Sequence, residues 1–380
     1  MTPENRPPRR LLIVFGTRPE AIKCFPVARD ALADPRFHTE ICVTAQHREM
    51  VDAIIAMTGL PVHYDLDIMS PGQSLFDVTA RILKGMEAVL DAARPDVVLV
   101  QGDTTTAMTA ALASFYKRIP VAHIEAGLRS HDLYSPWPEE LNRKVIGDIA
   151  AWHFVPTTEA RDNLLAENEP ADRIFVSGNT VVDSLLHFSE RFDADASLAA
   201  PMAKRFDFLD PTKRLILVTG HRRENFDTGI ERICVALKTL AERGDVEIVY
   251  PVHPNPKVMV PVHAALDHVA GIHLIQPQDY LPFLYLLKRA DLVLTDSGGV
   301  QEEAPSLGKP VLVLRDNTER PEGVRAGTAI LVGTDTNRIV GEANRLLDNA
   351  EAYGQMSLRH NPYGDGKASL RILEELARDA

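Results

Sequence analysis

Acidic side chains that follow apolar runs give the first chemical signal in this sequence. Asp103 comes directly after "DVVLVQG" and is followed by Thr104, Thr105 and Thr106. Glu125 stands between "PVAHI" and "AGLR", and "SPWPEELNRK" supplies Glu139 and Glu140 at the start of an expected helix. Taken singly, Asp103 and Glu139 read equally well as helix caps or first-turn acids. Glu125 is harder to assign to structure, because an acid between an apolar strand and a glycine is costly to bury without a task. Three such acids on successive elements point to a carboxylate-lined site, the arrangement that acid–base chemistry uses.

The second half has the opposite character. In "LVLTDSGGVQEEAPSLG" an apolar run leads to Ser297, Gly298 and Gly299, then to an expected helix carrying Glu302 and Glu303. Paired glycines allow close backbone approach, and a helix start offers free N–H groups and the positive end of a dipole. With an acid on the helix to take ribose hydroxyls, the segment reads as a nucleotide diphosphate site; a plain tight turn is the alternative. "LLIVFGTRPEAIK" makes a similar offer at Gly16, with Arg18 and Lys23 as cations for an anion. His221 lies at a strand end beside Arg222 and Arg223, where a proton donor or phosphate partner is useful. His47, His123, His153 and His253 are read as structural. No H-E-x-x-H or C-x-x-C occurs and the histidines lack ligand spacing, so no protein-held metal is expected. No G-x-G-x-x-G follows a strand, which disfavours nicotinamide chemistry.

The elements that must position these groups alternate between short β-branched runs and helical patterns. About six strand candidates fall in each half, from "LLIVF" to "IFVSG" and from "RLILVTG" to "AILVG". Alternation of this kind means parallel sheets with crossover helices, and the count suits two doubly wound α/β domains. The break is expected between residues 178 and 212, where polar, Pro/Ala-rich sequence precedes a fresh strand. "LLIVFGTRPE" is echoed by "LILVTGHRRE", an apolar strand followed by G-x-R-x-E at the head of each half. Ligands of open parallel sheets bind at the carboxyl ends of strands, so both motifs are expected to face a cleft between the domains. The chain has 380 residues and a formal net charge of −12, which argues against a nucleic-acid surface. Its three cysteines, Cys24, Cys42 and Cys234, have no metal-like spacing and suit a reducing compartment. The run Leu11 to Phe15 is too short for a signal-peptide core or a membrane span, so a soluble, cytoplasmic protein is expected.

Taken together, "FGTRPEAIK", "TAQHREM", "VQGDTTTA", "HIEAGLRS", "SPWPEELNR", "FVSGNTVVD", "TGHRREN", "YPVHPNP", "LTDSGGVQEEAPSLGKPVLVLRDNTERPE" and "NPYGDG" closely resemble the bacterial non-hydrolysing UDP-N-acetylglucosamine 2-epimerases, in order, from about residue 11 to 375. The resemblance implies a GT-B-like fold of two Rossmann-like domains, residues 1–178 and 179–365, with a final helix over 366–380 that returns to the first domain. It implies reversible C2 epimerisation of UDP-N-acetylglucosamine to UDP-N-acetylmannosamine, by elimination of UDP to 2-acetamidoglucal and re-addition. That reaction needs no cofactor. It implies catalytic roles for Asp103, Glu125, Glu139 and His221. Nucleotide-sugar contacts are implied for Arg18, Lys23, Gln278, Phe283, Ser297, Gly298, Gly299, Glu303 and Arg320, with Phe283 near the uracil and Glu303 on the ribose. Gln278, Phe283 and Arg320 rest on the resemblance alone. A homodimer is implied, and a second, regulatory UDP-N-acetylglucosamine site involving Gln46. Glu49 and Gly72 depart there from the Gln and Arg of some members, so the contacts would differ. Three rivals stay open at this level: a GT-B glycosyltransferase using a UDP-sugar donor, a hydrolysing epimerase releasing free N-acetylmannosamine, and a non-catalytic nucleotide-sugar sensor.

Overall fold

All twelve apolar runs form strands, and one short strand joins them that the pattern does not announce. In chain order they are β1 (Arg9–Phe15), β2 (Phe37–Val43), β3 (Tyr64–Asp65), β4 (Val97–Gln101), β5 (Val121–Ile124), β6 (Trp152–Val155) and β7 (Ile174–Val176). The second series is β8 (Arg214–Thr219), β9 (Val246–Pro251), β10 (Ile272–Ile275), β11 (Leu292–Thr295), β12 (Val311–Val313) and β13 (Ala329–Leu331). The unannounced strand is β3, two residues long, which adds only the pairs Cys42–Tyr64 and Val43–Asp65 to the sheet edge. The structure is a computed structural model that describes residues 7–70, 72–358 and 361–378. Residues 1–6 and the last two residues of the expected closing helix lie outside the described residues.

The chain divides into two units, Met1–Ser184 with Gly364–Ala380, and Leu185–Tyr363. The stretch 178–212, read as a break, folds largely as the helices Thr180–Ala194 and Ala196–Arg205, and the division falls inside the first of them. Each unit holds one wholly parallel sheet, ordered β3-β2-β1-β4-β5-β6-β7 in the first and β10-β9-β8-β11-β12-β13 in the second. Strand order reverses at β1/β4 in one and at β8/β11 in the other. These are the switch points at which open α/β sheets bind ligands.

Burial on both faces explains why the central strands read as continuous apolar runs. Leu12, Val14, Val98 and Val100 of β1 and β4 pack with Ile82, Met86 and Leu90 of the helix Leu75–Ala93. In the second unit Ile216, Val218, Leu292 and Leu294 pack with Leu237 and Leu240 of the helix Thr228–Ala241. Each fully buried side chain of this size contributes about 1.5–3 kcal/mol, which fixes the strand ends that carry the polar residues. The closing helix, Ala368–Arg378, returns to the first unit as the resemblance implies. The Arg9 guanidinium donates to the Leu376 carbonyl, the Ser369 hydroxyl to Asp30 at 2.6 Å, and the Ser369 amide to Asp183 at 2.8 Å. No helix among the described residues is long and apolar enough to cross a membrane.

Candidate active site

At the first switch point β1 ends in Gly16 and the helix Arg18–Ala33 begins at once. Gly16 is required by space: a Cβ there would lie 1.9 Å from the Thr44 hydroxyl oxygen and 2.6 Å from that of Thr106. The amides of Gly16 and Thr17, offered by the sequence to an anion, already have one. The Glu20 carboxylate accepts both, at 3.1 and 2.8 Å, from the first turn of the same helix. Arg18 is half-buried and makes no ion pair among the described residues. Gln46 is half-buried, and its Oε1 accepts the Thr106 hydroxyl at 2.9 Å.

Lys23, one turn further on, is turned to a carboxylate. Its ammonium contacts both oxygens of Glu125, at 2.5 and 2.7 Å. Glu125 is 8% exposed and has a φ of 62°. A non-glycine residue in that left-handed region costs roughly 1–2 kcal/mol, so the surroundings hold it there. The Gln101 amide donates to Oε2 and the Asn179 amide to Oε1, the latter at 3.0 Å. Beneath it lies Gly102, where a Cβ would meet Glu125 Oε2 at 3.5 Å and whose φ is 71°. The Gly102 carbonyl is fixed by His123 Nε2 at 2.7 Å. Burial pushes the His123 imidazole down to about 3, so it is neutral and donates that hydrogen bond.

Asp103 follows β4, its carboxylate on Arg143 (Nη2 at 2.6 Å, Nε at 2.9 Å) and its carbonyl accepting the Asn142 amide at 2.8 Å. The helix Glu139–Ile149 supplies both partners. Its two leading acids divide their duties. Glu140 is fully buried, accepts the amides of Ser130 and His131 at 3.1 Å each, and pairs with Arg143 at 3.0 Å. Burial would raise its pKa, yet those amides and the guanidinium outweigh burial and hold it below the ordinary glutamate range. Glu139 is only half-buried, but its Oε2 is shielded from solvent and has no hydrogen-bond partner among the described residues. Glu140 is therefore fully engaged by its neighbours, whereas Glu139 keeps one carboxylate oxygen unbonded among the described residues.

In the second unit the β8/β11 switch point is organised by Asp296, 1% exposed. Its carboxylate accepts the amides of His221 (2.9 and 3.1 Å) and Arg222 (2.8 Å) and the Asn225 side-chain amide (3.1 Å). The His221 side chain remains 42% exposed, with Nδ1 3.7 Å from Asp296, and its ring stacks on His253 at 5.2 Å between centroids. Burial, with Arg222 and His253, pushes the His221 pKa down against the opposing pull of Asp296. His253, read from sequence as structural, thus belongs beside His221.

Ser297 opens the helix Gly298–Ser306 without a side-chain cap, so the first-turn amides lack intrahelical acceptors. A Cβ on Gly298 would stand 3.9 Å from both an Arg222 nitrogen and the Arg320 guanidinium carbon. Two cations and a helix start converge there, a composition suited to a diphosphate. Arg320 is held by buried Glu302 and by the Glu319 carbonyl at 3.1 Å. Half-buried Glu303 lies one residue past Glu302, its Oε1 4.0 Å from where a Cβ on Gly299 would stand. Half-buried Phe283 stands in the helix Tyr280–Arg289. Gln278 donates to the Gln276 carbonyl, and its buried Oε1 has no partner among the described residues.

Sequence reasoning did not single out Glu20, Gln101, Asn179, Arg143 or Asp296, which hold the candidate groups in place. Only Glu20 had a local signal, the T-x-x-E spacing of a capping box at Thr17. The others become neighbours only when strand order is known.

A family model described as UDP-N-acetylglucosamine 2-epimerase matches residues 29–377. The chain is 56% identical over 368 residues to a UDP-N-acetylglucosamine 2-epimerase of Yersinia pestis, covering 97% of this chain and 98% of the relative. Identity, length and shares are the same for the enzyme of that name from Escherichia coli strain K12. The crystal structure of UDP-GlcNAc 2-epimerase from Neisseria meningitidis bound to UDP-GlcNAc is 47% identical, with a TM-score of 0.88 over 97% of this chain and 100% of that one. The fold class is GT-B-like, built of two parallel-sheet α/β domains.

Proposed function

This chain belongs to the UDP-N-acetylglucosamine 2-epimerase family, and on that premise we propose that it interconverts UDP-N-acetylglucosamine and UDP-N-acetylmannosamine without hydrolysing the nucleotide. The C2–H of the sugar has no adjacent carbonyl to acidify it, so direct proton abstraction is disfavoured. Departure of UDP solves the problem. Breaking the C1–O bond leaves an oxocarbenium-like centre that acidifies C2–H, and loss of that proton gives 2-acetamidoglucal. UDP then returns to C1 while a proton is delivered to the opposite face of C2. One proton leaves and one arrives, so no oxidant or cofactor is consumed.

The groups needed for each half of this chemistry are divided between the units. In the second, the Gly298 and Gly299 amides, the helix dipole, Arg222 and Arg320 suit a diphosphate whose charge grows as it leaves. His221 adds a hydrogen-bond donor, Glu303 suits the ribose hydroxyls, and Gln278 Oε1, without a partner among the described residues, and Phe283 suit a uracil edge and face. In the first, Asp103, Glu125 and Glu139 suit proton transfer at C2, and Arg18 suits the diphosphate. Lys23 serves in this reading through Glu125, which it pins. The observation that carries the reading is Glu125 itself, a buried carboxylate in a strained conformation at a strand end, ringed by three donors. Strained residues persist only where their surroundings over-determine them, and they cluster at active sites.

We further place the protein in the cytoplasm as a homodimer, feeding N-acetylmannosamine units to cell-surface polysaccharide. A second nucleotide-sugar site near Gln46 would make rates sigmoidal and a trace of UDP-N-acetylglucosamine would make them hyperbolic; strictly hyperbolic rates at all concentrations contradict it. The central assignment is tested by proton NMR of the protein with UDP-N-acetylglucosamine, no cofactor and no acceptor. The expected product is UDP-N-acetylmannosamine at equilibrium with its epimer. Free N-acetylmannosamine with UDP would replace the reading by a hydrolysing enzyme, and no conversion would overturn it.

A further inference from the structure

One fully buried carboxylate in the first unit has no part in the reaction just described. Glu20 is 0% exposed, and no cation contacts it among the described residues. Its Oε2 accepts the Gly16 and Thr17 amides, which a helix cap explains. Its Oε1 does something a cap does not require. It accepts the Thr104 hydroxyl at 2.6 Å, across the boundary between β1 and β4 where strand order reverses. The Thr104 oxygen in turn accepts the Ala107 amide at 3.0 Å and caps the helix Thr105–Tyr116. One carboxylate therefore joins the starts of two helices on opposite sides of the switch point.

The neighbours of those two anchor points give the bridge its meaning. Arg18 follows Thr17, and Asp103 precedes Thr104. Arg143 and Asn142 pull the Asp103 turn toward the helix Glu139–Ile149, and the Thr104–Glu20 bond pulls it back toward β1. We propose that Glu20 is a positioning residue for the epimerisation, fixing the Asp103 turn against the Arg18 turn through the Thr104 hydroxyl. The inference rests on the roles given above to Asp103 and Arg18.

Valine and serine at position 104 separate the bridge from simple packing. T104V keeps the shape and removes the hydroxyl; T104S keeps the hydroxyl. T104V is expected to lower kcat about tenfold or more while KM for UDP-N-acetylglucosamine stays within about twofold, since Glu20 still caps the Arg18 turn. T104S is expected to restore kcat to within about twofold of the parent. E20A, if it folds, is expected to lower kcat and raise KM together, because both turns lose their anchor. Loss of the Ala107 cap alone would lower the melting temperature of T104V without moving kcat where the protein is folded. Parent-like kcat in folded T104V therefore overturns the inference. Amide exchange at Gly102, bonded to the Ile124 carbonyl at 2.9 Å beside the Asp103 turn, provides a readout that does not need turnover. Faster exchange at this amide in T104V than in T104S supports the bridge, and equal exchange overturns it even if the activity reading itself fails.

Discussion

The two G-x-R-x-E turns share a sequence and a place in the fold but solve the same problem differently. Each follows the first strand of its sheet beside the switch point, and each leaves two successive amides in need of an acceptor. After β1 the helix starts immediately, so the glutamate of the motif, Glu20, reaches its own Gly16 and Thr17 amides. After β8 a short turn, Arg223–Asn225, intervenes and the helix waits until Thr228. The equivalent glutamate, Glu224, is carried outward to Arg315, and Asp296 of the neighbouring strand takes the amides of His221 and Arg222. The delay has a chemical consequence. The second motif residue is a buried helix cap in one unit, Thr17, and a half-exposed imidazole in the other. A repeated motif thus marks a position at a switch point, and the timing of the next helix decides which side chain stays exposed there.

In the proposed reaction proton transfer falls to the first unit, and removing its acid should have the largest effect. E125Q is expected to lower kcat by about 10²–10⁴, with the nucleotide grip of the second unit leaving KM little changed. Near-parental turnover would remove Glu125 from the catalytic set. The two acceptors should next differ in their response to pH. Burial pushes the Glu20 carboxyl up from 4.5 to about 7, so ionising it costs more in the folded than in the unfolded chain. Its contribution to stability is fullest below pH 4.5 and declines by up to about 3 kcal/mol as pH rises past 7. E20Q lacks that decline. Its stability relative to the parent, from urea unfolding at a series of pH values, should therefore climb between pH 4.5 and 7; a flat difference contradicts the burial argument.

The motif glycines should separate by less. Alanine at Gly16 clashes with the Thr44 and Thr106 hydroxyls, whereas alanine at Gly220 is tight against the Tyr250 hydroxyl at 3.1 Å and otherwise in ordinary contact. G16A should cost about 1–3 kcal/mol or more by overpacking, and G220A less than about 1 kcal/mol. Adding T44A should return part of the G16A loss, whereas equal costs for the two glycine variants would erase the contrast.

Much of the fold could be read because its strands are buried on both faces and so appear as unbroken apolar runs; β3, two residues long at an edge and ending in Asp65, carries no such signal. The candidate acids Asp103, Glu125 and Glu139 stood out because they follow those runs. Their partners did not. Gln101 and Asn179 meet at Glu125 only because β4, β5 and the segment after β7 end on the same side of one sheet. Lys23 looked like a ligand for an anion, and the fold supplied that anion from within, since its place in the second helical turn past Thr17 carries it to Glu125. His253 could not be linked to His221 before β9 was known to lie beside β8.

Exchange at C2 tests the account most directly. The reaction run in deuterated water should give both epimers with solvent deuterium at C2, because the proton lost to form the glucal is replaced from a carboxylate in contact with solvent. Product formed with the original hydrogen at C2, and no deuterium there after many turnovers, would contradict elimination and re-addition and the roles assigned to Asp103, Glu125 and Glu139.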